Sequence, residues 1–202
     1  MRSLFIRLCV GVIIAAVVGL FGAGVPSAQE IKGPIKIVVP YPPGGGSDVV
    51  ARLIADKLAA RGILSLDAPV SGGDIGARDG TLTVMVGGSA EALERAMPVL
   101  KVMSKSVTHV GASGAGQVAK AANQIMVAAQ MVAMGELLVF AKKAGVDPKK
   151  VVEAIKGGAA QCWTLDVKPP RLFDGNRNPG FKAHMQLKDL KIILETAQEY
   201  DI

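Results

Sequence analysis

The chain is short of cysteine, histidine and aromatic side chains, and each shortage closes a class of function. Its 202 residues include two cysteines, two histidines, one tryptophan, two tyrosines and five phenylalanines. Cys9 lies in a hydrophobic N-terminal stretch, which leaves Cys162 alone in any processed form, without a disulfide partner. The same count rules out a zinc cluster of cysteines, and neither His109 nor His184 sits in a metal-ligand spacing, so no metal site is expected. Lys and Arg outnumber Asp and Glu by 23 to 17, for a net charge of +6, yet the cations are scattered and adjacent only at 142–143 and 149–150. Without a basic stripe interleaved with aromatics, nucleic acid is not an expected partner. Neither the dinucleotide turn G-x-G-x-x-G nor the phosphate loop G-x-x-x-x-G-K-[ST] occurs anywhere.

What is present is aliphatic. Half the residues are apolar, so a core must be built from Ala, Val, Leu, Ile and Met. The first thirty residues, "MRSLFIRLCVGVIIAAVVGLFGAGVPSAQE", carry Arg2 and Arg7 and then no charge until Glu30. That is the pattern of an export signal, cleaved near Ala28 or kept as an anchor. The expectation is an exported protein, periplasmic or membrane-anchored, touching the membrane only through this segment.

Beyond it, Ile35, Ile37, Val38 and Val39 read as a short strand, and Pro40 to Gly46 as a loop. Ser47 is placed to cap a helix whose apolar face is Val50, Leu53, Ile54 and Leu58. A glycine-rich loop before a helix can hold an anion or be a plain tight turn. After Gly62 the character changes. Leu64 to Val70 reads as a strand entering the loop Ser71–Gly72–Gly73, residues 80–88 as a second strand, 89–104 as a helix capped by Ser89, and 107–111 as a third strand. From about Gly114 to residue 143 runs one long helix, apolar nearly all round and so expected to be central and buried, with Gly145 ending it. Residues 147–158 form a helix capped by Asp147 with Pro148 in its first turn, 161–175 a short helix and loop, and 188–202 a last helix that the chain end cuts short.

Two polar features interrupt this pattern. Lys120 lies one to two turns into the apolar helix beside Asn123, with no acid nearby in sequence. A lysine so placed either snorkels to the surface or has its proton affinity lowered by burial and serves as a general acid or base. Ser71, Gly72 and Gly73 follow a strand, where bare backbone and a hydroxyl either hold a carboxylate or make a turn.

"IKIVVPYPPGGGSDVVARLIADKLAARG" resembles the start of the Bug-type substrate-binding receptors of tripartite tricarboxylate transporters, over residues 1–62. "LDAPVSGGDIGARDGTLTVMVGG", "HVGASGAGQVAKAANQIMVA", "AKKAGVDP", "AIKGGAAQCWTLD" and "PGFKAHMQLKDLKIILETA" resemble the β-hydroxyacid dehydrogenase family, over residues 64–202. Within that family the likeness is to 2-hydroxy-3-oxopropionate (tartronate semialdehyde) reductases. The resemblance implies NAD or NADP as cofactor and a small carboxylate as substrate. It implies Lys120 as the catalytic acid/base, with Ser71, Gly72, Gly73 and Asn123 binding substrate. Lys188 and Phe181 would lie near the cofactor, Trp163 would help wall the cleft, and the helical domain could pair with a second copy.

The implied fold is α/β followed by mostly α: a truncated Rossmann-like sheet, then a helical domain like that of 6-phosphogluconate dehydrogenase around a long central helix. The implied divisions are 1–28 signal or anchor, 29–62 receptor-like fragment, 63–111 remnant of a dinucleotide-binding domain, and 112–202 helical domain. The missing glycine turn departs from the family, and His184 and Gln186 stand where an Asp and a His are usual. The other readings are an exported carboxylate-binding receptor fragment and an inactive fusion relic.

Overall fold

Leu82–Gly88 is the most deeply buried run among the described residues, and six of its seven residues are shielded from solvent. It shows no polar alternation, as expected of a strand covered on both faces. Around it the computed structural model describes residues 46–202. The export segment, the strand at 35–39 and the loop through residue 45 lie outside those residues.

The first element is helix α1 (Gly46–Ala59), which begins one residue ahead of the expected cap Ser47. Two short ladders follow, β1 (Leu66–Asp67) and β2 (Val70–Ser71), then helix α2 (Gly73–Arg78). Strand β3 (Leu82–Gly88) leads through α3 (Ala90–Met103) to β4 (Ser104–Gly111). Four helices complete the chain: α4 (Ala115–Lys143), α5 (Pro148–Ile155), α6 (Trp163–Phe173) and α7 (Ala183–Glu199).

Strand β3 is the hub of the sheet. β1 and β2 both pair antiparallel with one edge of it, at Leu66↔Gly88 and Val70↔Val84. They keep one continuous register, and the Met85 amide donates to the Pro69 carbonyl between them at 3.0 Å. The two ladders are therefore one strand interrupted at Ala68–Pro69, where proline has no amide to give. β4 pairs parallel with the other edge, so β3–α3–β4 is a βαβ crossover. Ser89 caps α3 by accepting from the Ala92 amide at 3.2 Å. Val84, Val86 and Leu100 form the inner core, with Leu66, Leu93, Met103 and Val107 packed on it.

Three expectations about elements need correction. The loop Ser71–Gly73 turns directly into helix α2, a turn the sequence reading leaves as coil. The last helix starts at Ala183, not 188. Most importantly, α4 is not buried all round. It packs one side on β3, β4 and α5–α7 and buries Gly116, Gln124, Leu138 and Ala141. Val118, Ile125, Val132 and Val139, spaced at seven-residue steps, are exposed on another side. By length and composition alone α4 could cross a membrane, but its packed side carries polar groups that anchor it to its neighbours.

Candidate active site

Helix α4 enters the fold against the sheet, and its first turns need both a bare residue and an acid. A Cβ at Gly116 would meet the Met85 carbonyl at 2.6 Å and the Asp67 carboxylate at 2.7 Å, so only glycine fits there. The Asp67 carboxylate accepts from the Gly114 amide at 2.6 Å and from the Gln117 amide at 3.0 Å. It satisfies two of the orphan donors of the helix N-terminus from another element and lies at the positive end of the helix dipole.

This docking sets where Lys120 points. Its ammonium donates to the Val70 carbonyl at 2.8 Å, one residue before Ser71. The structure thus brings Lys120 and the Ser71–Gly72–Gly73 loop together from positions about fifty residues apart. Burial pushes the Lys120 pKa below the ordinary lysine value, and the charge of Asp189 pulls partly the other way. Gly72 has φ +129°, and a Cβ there would press on Leu82; Gly73 has φ +66° with open space on its side. Both conformations favour glycine.

Behind Lys120, helices α4 and α7 share a polar seam. Gln124, one turn on from Lys120, is 5% exposed, and Asp189 is 6% exposed. The Gln124 side-chain amide donates to Asp189 Oδ2 at 2.6 Å, and its carbonyl oxygen accepts from Asn123 Nδ2 at 2.9 Å. Gln186 Nε2 donates to the Gln124 backbone carbonyl at 3.0 Å. Lys188 lies 3.3 Å from Asp189 Oδ1. No buried side-chain polar atom among the described residues lacks a partner.

Of the residues singled out in the sequence, Asn123 and Lys188 therefore join one hydrogen-bonded network, Lys120 feels the charge of its Asp189, and Ser71–Gly73 adjoins Lys120 through Val70. Phe181 is 43% exposed and Trp163 55% exposed; Trp163 faces the Lys168 ammonium, 5.3 Å from its ring centre. No hydrogen bond or ring contact ties either aromatic to Lys120. Asp67 and Asp189 were missed, and Gln124 and Gln186 stood out only as departures from the family pattern, without a role. A signal existed for three of them: Gln124 is four residues from Lys120, and Gln186 and Asp189 are three apart, which places each set on one helix face. Asp67 had none, because its partners lie 47 and 50 residues away.

Comparison with known proteins gives this parallel βαβ unit and the lysine-bearing helix that follows it a family. Residues 46–111 match the NAD binding domain of 6-phosphogluconate dehydrogenase. Residues 114–202 match the NAD-binding domain of NADP-dependent 3-hydroxyisobutyrate dehydrogenase. The chain belongs, over these residues, to the β-hydroxyacid dehydrogenase family.

It is 48% identical to the 2-hydroxy-3-oxopropionate reductase of Escherichia coli over 133 residues, 66% of this chain and 46% of that protein. It is 40% identical to the 3-hydroxyisobutyrate dehydrogenase of Pseudomonas aeruginosa over 155 residues, 73% of this chain and 52% of that one. Among solved structures, the Mycobacterium tuberculosis 3-hydroxyisobutyrate dehydrogenase superposes with a TM-score of 0.68 at 35% identity, over 76% of this chain and 55% of that one. The chain spans about half the length of the curated relatives it matches.

Two expectations are overturned by these matches. The receptor resemblance finds no support: the dinucleotide-binding match takes in residues 46–111, including α1, which that resemblance had claimed. Export is overturned too. The chain's relatives are dehydrogenases of the nicotinamide-nucleotide family, and such chemistry depends on a cofactor pool that an exported protein leaves behind.

The cofactor is NAD or NADP. Among the described residues, helices α4 and α7, which carry Lys120 and Lys188, pack together beside the Ser71–Gly73 loop. A glycine-rich turn for the pyrophosphate is not found among them.

Proposed function

We propose that this chain carries the substrate-side half of a nicotinamide-dependent oxidoreductase that reduces 2-hydroxy-3-oxopropionate, or oxidises a related 3-hydroxy acid. The observation that carries the reading is the Lys120 ammonium seated on the Val70 carbonyl, beside Ser71–Gly72–Gly73. The relatives at 48% and 40% identity act, by name, on small acids of this class. The Mycobacterium tuberculosis relative was solved with L-serine, itself a 3-hydroxy acid. The alternatives, an exported carboxylate receptor or an inactive relic, are not favoured, because the two dehydrogenase matches take in residues 46–111 and 114–202 and cross the change of character after Gly62.

In this reading Ser71, Gly72 and Gly73 hold the substrate carboxylate with a hydroxyl and bare backbone amides. Asn123 orients the substrate, Lys188 and Phe181 lie toward the cofactor, and Trp163 lines the approach. The nicotinamide, when bound, exchanges hydride with the carbonyl carbon. Lys120 gives a proton to the oxygen as the alkoxide develops, and takes it back in the oxidation direction. Burial weakens its hold on that proton, which suits an acid near neutral pH. The working division is a dinucleotide-domain remnant at 63–111 and a helical domain at 112–202.

The test is NADPH consumption by the purified chain with 2-hydroxy-3-oxopropionate. Lys120→Met is expected to lower the rate by about 100-fold or more, the usual loss for a general acid. An equal rate in the variant would sink the assignment.

A further inference from the structure

The polar seam between α4 and α7 has a direction. An ionised carboxylate accepts hydrogen bonds and donates none. Asp189 is nearly closed to solvent, and Lys188 stands 3.3 Å from one of its oxygens as in an ion pair. The other oxygen, Oδ2, must therefore receive a donor, and it receives Gln124 Nε2 at 2.6 Å. The second Nε2 hydrogen points to Gln186 Oε1 at 3.4 Å, so both donors of Gln124 are committed and its carbonyl oxygen is what it offers Asn123. The oxygen accepts from Asn123 Nδ2 at 2.9 Å. Turning the Asn123 amide over would set two carbonyl oxygens against each other at that distance, an unfavourable contact in a low-dielectric setting. Asn123 is thereby held with its nitrogen inward and its Oδ1 oxygen outward. Oδ1 takes no partner among the described residues and is open to solvent, since no buried polar atom there is unpartnered. It lies one turn along α4 from Lys120, on the same side of the helix.

We infer that Asp189, acting through Gln124, fixes Asn123 as a hydrogen-bond acceptor toward the candidate site, so that the site selects small 3-hydroxy acids carrying a hydroxyl donor on C2 over those carrying a methyl group there. The inference rests on the substrate-side reading proposed above. Asp189 and Gln124 are positioning residues in it, and Asn123 is the group that touches the ligand. The discrimination follows from hydrogen-bond arithmetic. A methyl group leaves the Asn123 oxygen desolvated and unpaired, whereas a hydroxyl satisfies it. Lys120 is a donor and cannot make this distinction in the same sense.

The experiment is isothermal titration of the intact chain, with NADP present, against two probes of nearly equal size: glycerate and 3-hydroxy-2-methylpropanoate. The expected result is binding of glycerate at least about 10-fold tighter, the factor for one unpaired buried acceptor. In Asp189→Asn combined with Gln186→Met, which removes the second acceptor on Gln124 Nε2, neither neighbour fixes the Gln124 amide, so Asn123 loses its fixed polarity. The preference is then expected to fall within about threefold, with glycerate losing the affinity. Gln124→Met breaks the same relay while leaving the Asp189–Lys188 pair in place, and serves if the first variant does not fold. If wild type binds both probes equally, or prefers the methyl acid, the relay inference is overturned while the site reading stands. The same holds if the preference survives in a folded variant. If wild type binds neither probe, the site reading fails and takes the inference with it.

Discussion

Lys120 is the residue on which the chemistry turns, and it carries a cost that pH reveals. Burial lowers its pKa below the ordinary value of 10.5, with Asp189 offsetting part of the effect. The unfolded chain keeps this proton up to the ordinary value, whereas the folded chain releases it sooner. Between the lowered value and 10.5 the unfolded state binds more protons, so stability rises with pH across that window. Below both values the buried charge is a constant penalty. Lys120→Met is therefore expected to resist urea better than wild type near neutral pH. Its advantage should shrink as the pH approaches the ordinary lysine value, read from unfolding midpoints at the two conditions. An advantage that grows with pH would contradict the burial of the charged amine. The lysine was legible in the sequence because a cation in an apolar helix stands out. Its partner Asp189 was not, because it sits in a charged stretch, "QLKDLK", that reads as solvated until α7 is seen to start at Ala183 and turn that face inward.

At the scale of elements, the long helix and the βαβ crossover were readable, and how they are joined was not. An unbroken aliphatic run from Gly114 to residue 143 announces a helix, and φ +75° at Gly145 is the left-handed stop expected beyond it. Which side of α4 is buried depends on what docks against it, and the apolar composition hid the difference between its packed and exposed sides. The docking itself rests on Asp67, whose carboxylate gathers the Gly114 and Gln117 amides. Asp67→Ala leaves those amides without their acceptor at the positive end of the helix. It is expected to cost about 1–2 kcal/mol, the range for losing a charged cap, measured by urea unfolding. Because Lys120 lies in the second turn of the same helix, the variant should also loosen the Lys120–Val70 bond. An unchanged midpoint would mean that α4 is seated by its apolar contacts alone.

At the scale of the whole molecule, the sequence presents a change of character near residues 61–64, and the family match passes straight through it, beginning at residue 46. The seam was read there because a helix resembling one family gives way after Gly62 to a strand and glycine loop resembling another, while the matched fold depends on strand order, which local pattern does not show. What the described residues do assemble is one polar centre, drawn from the strand before α2 and from α4 and α7. A ligand seated there must touch all three at once. The most direct measurement is hydrogen exchange on the intact chain, with and without NADPH and glycerate together. If these segments form one site, exchange slows together at Ser71–Gly73, Asn123–Gln124 and Gln186–Asp189, while α5 is unchanged. If ligands leave these three segments alone, or slow only one of them, the shared site is contradicted.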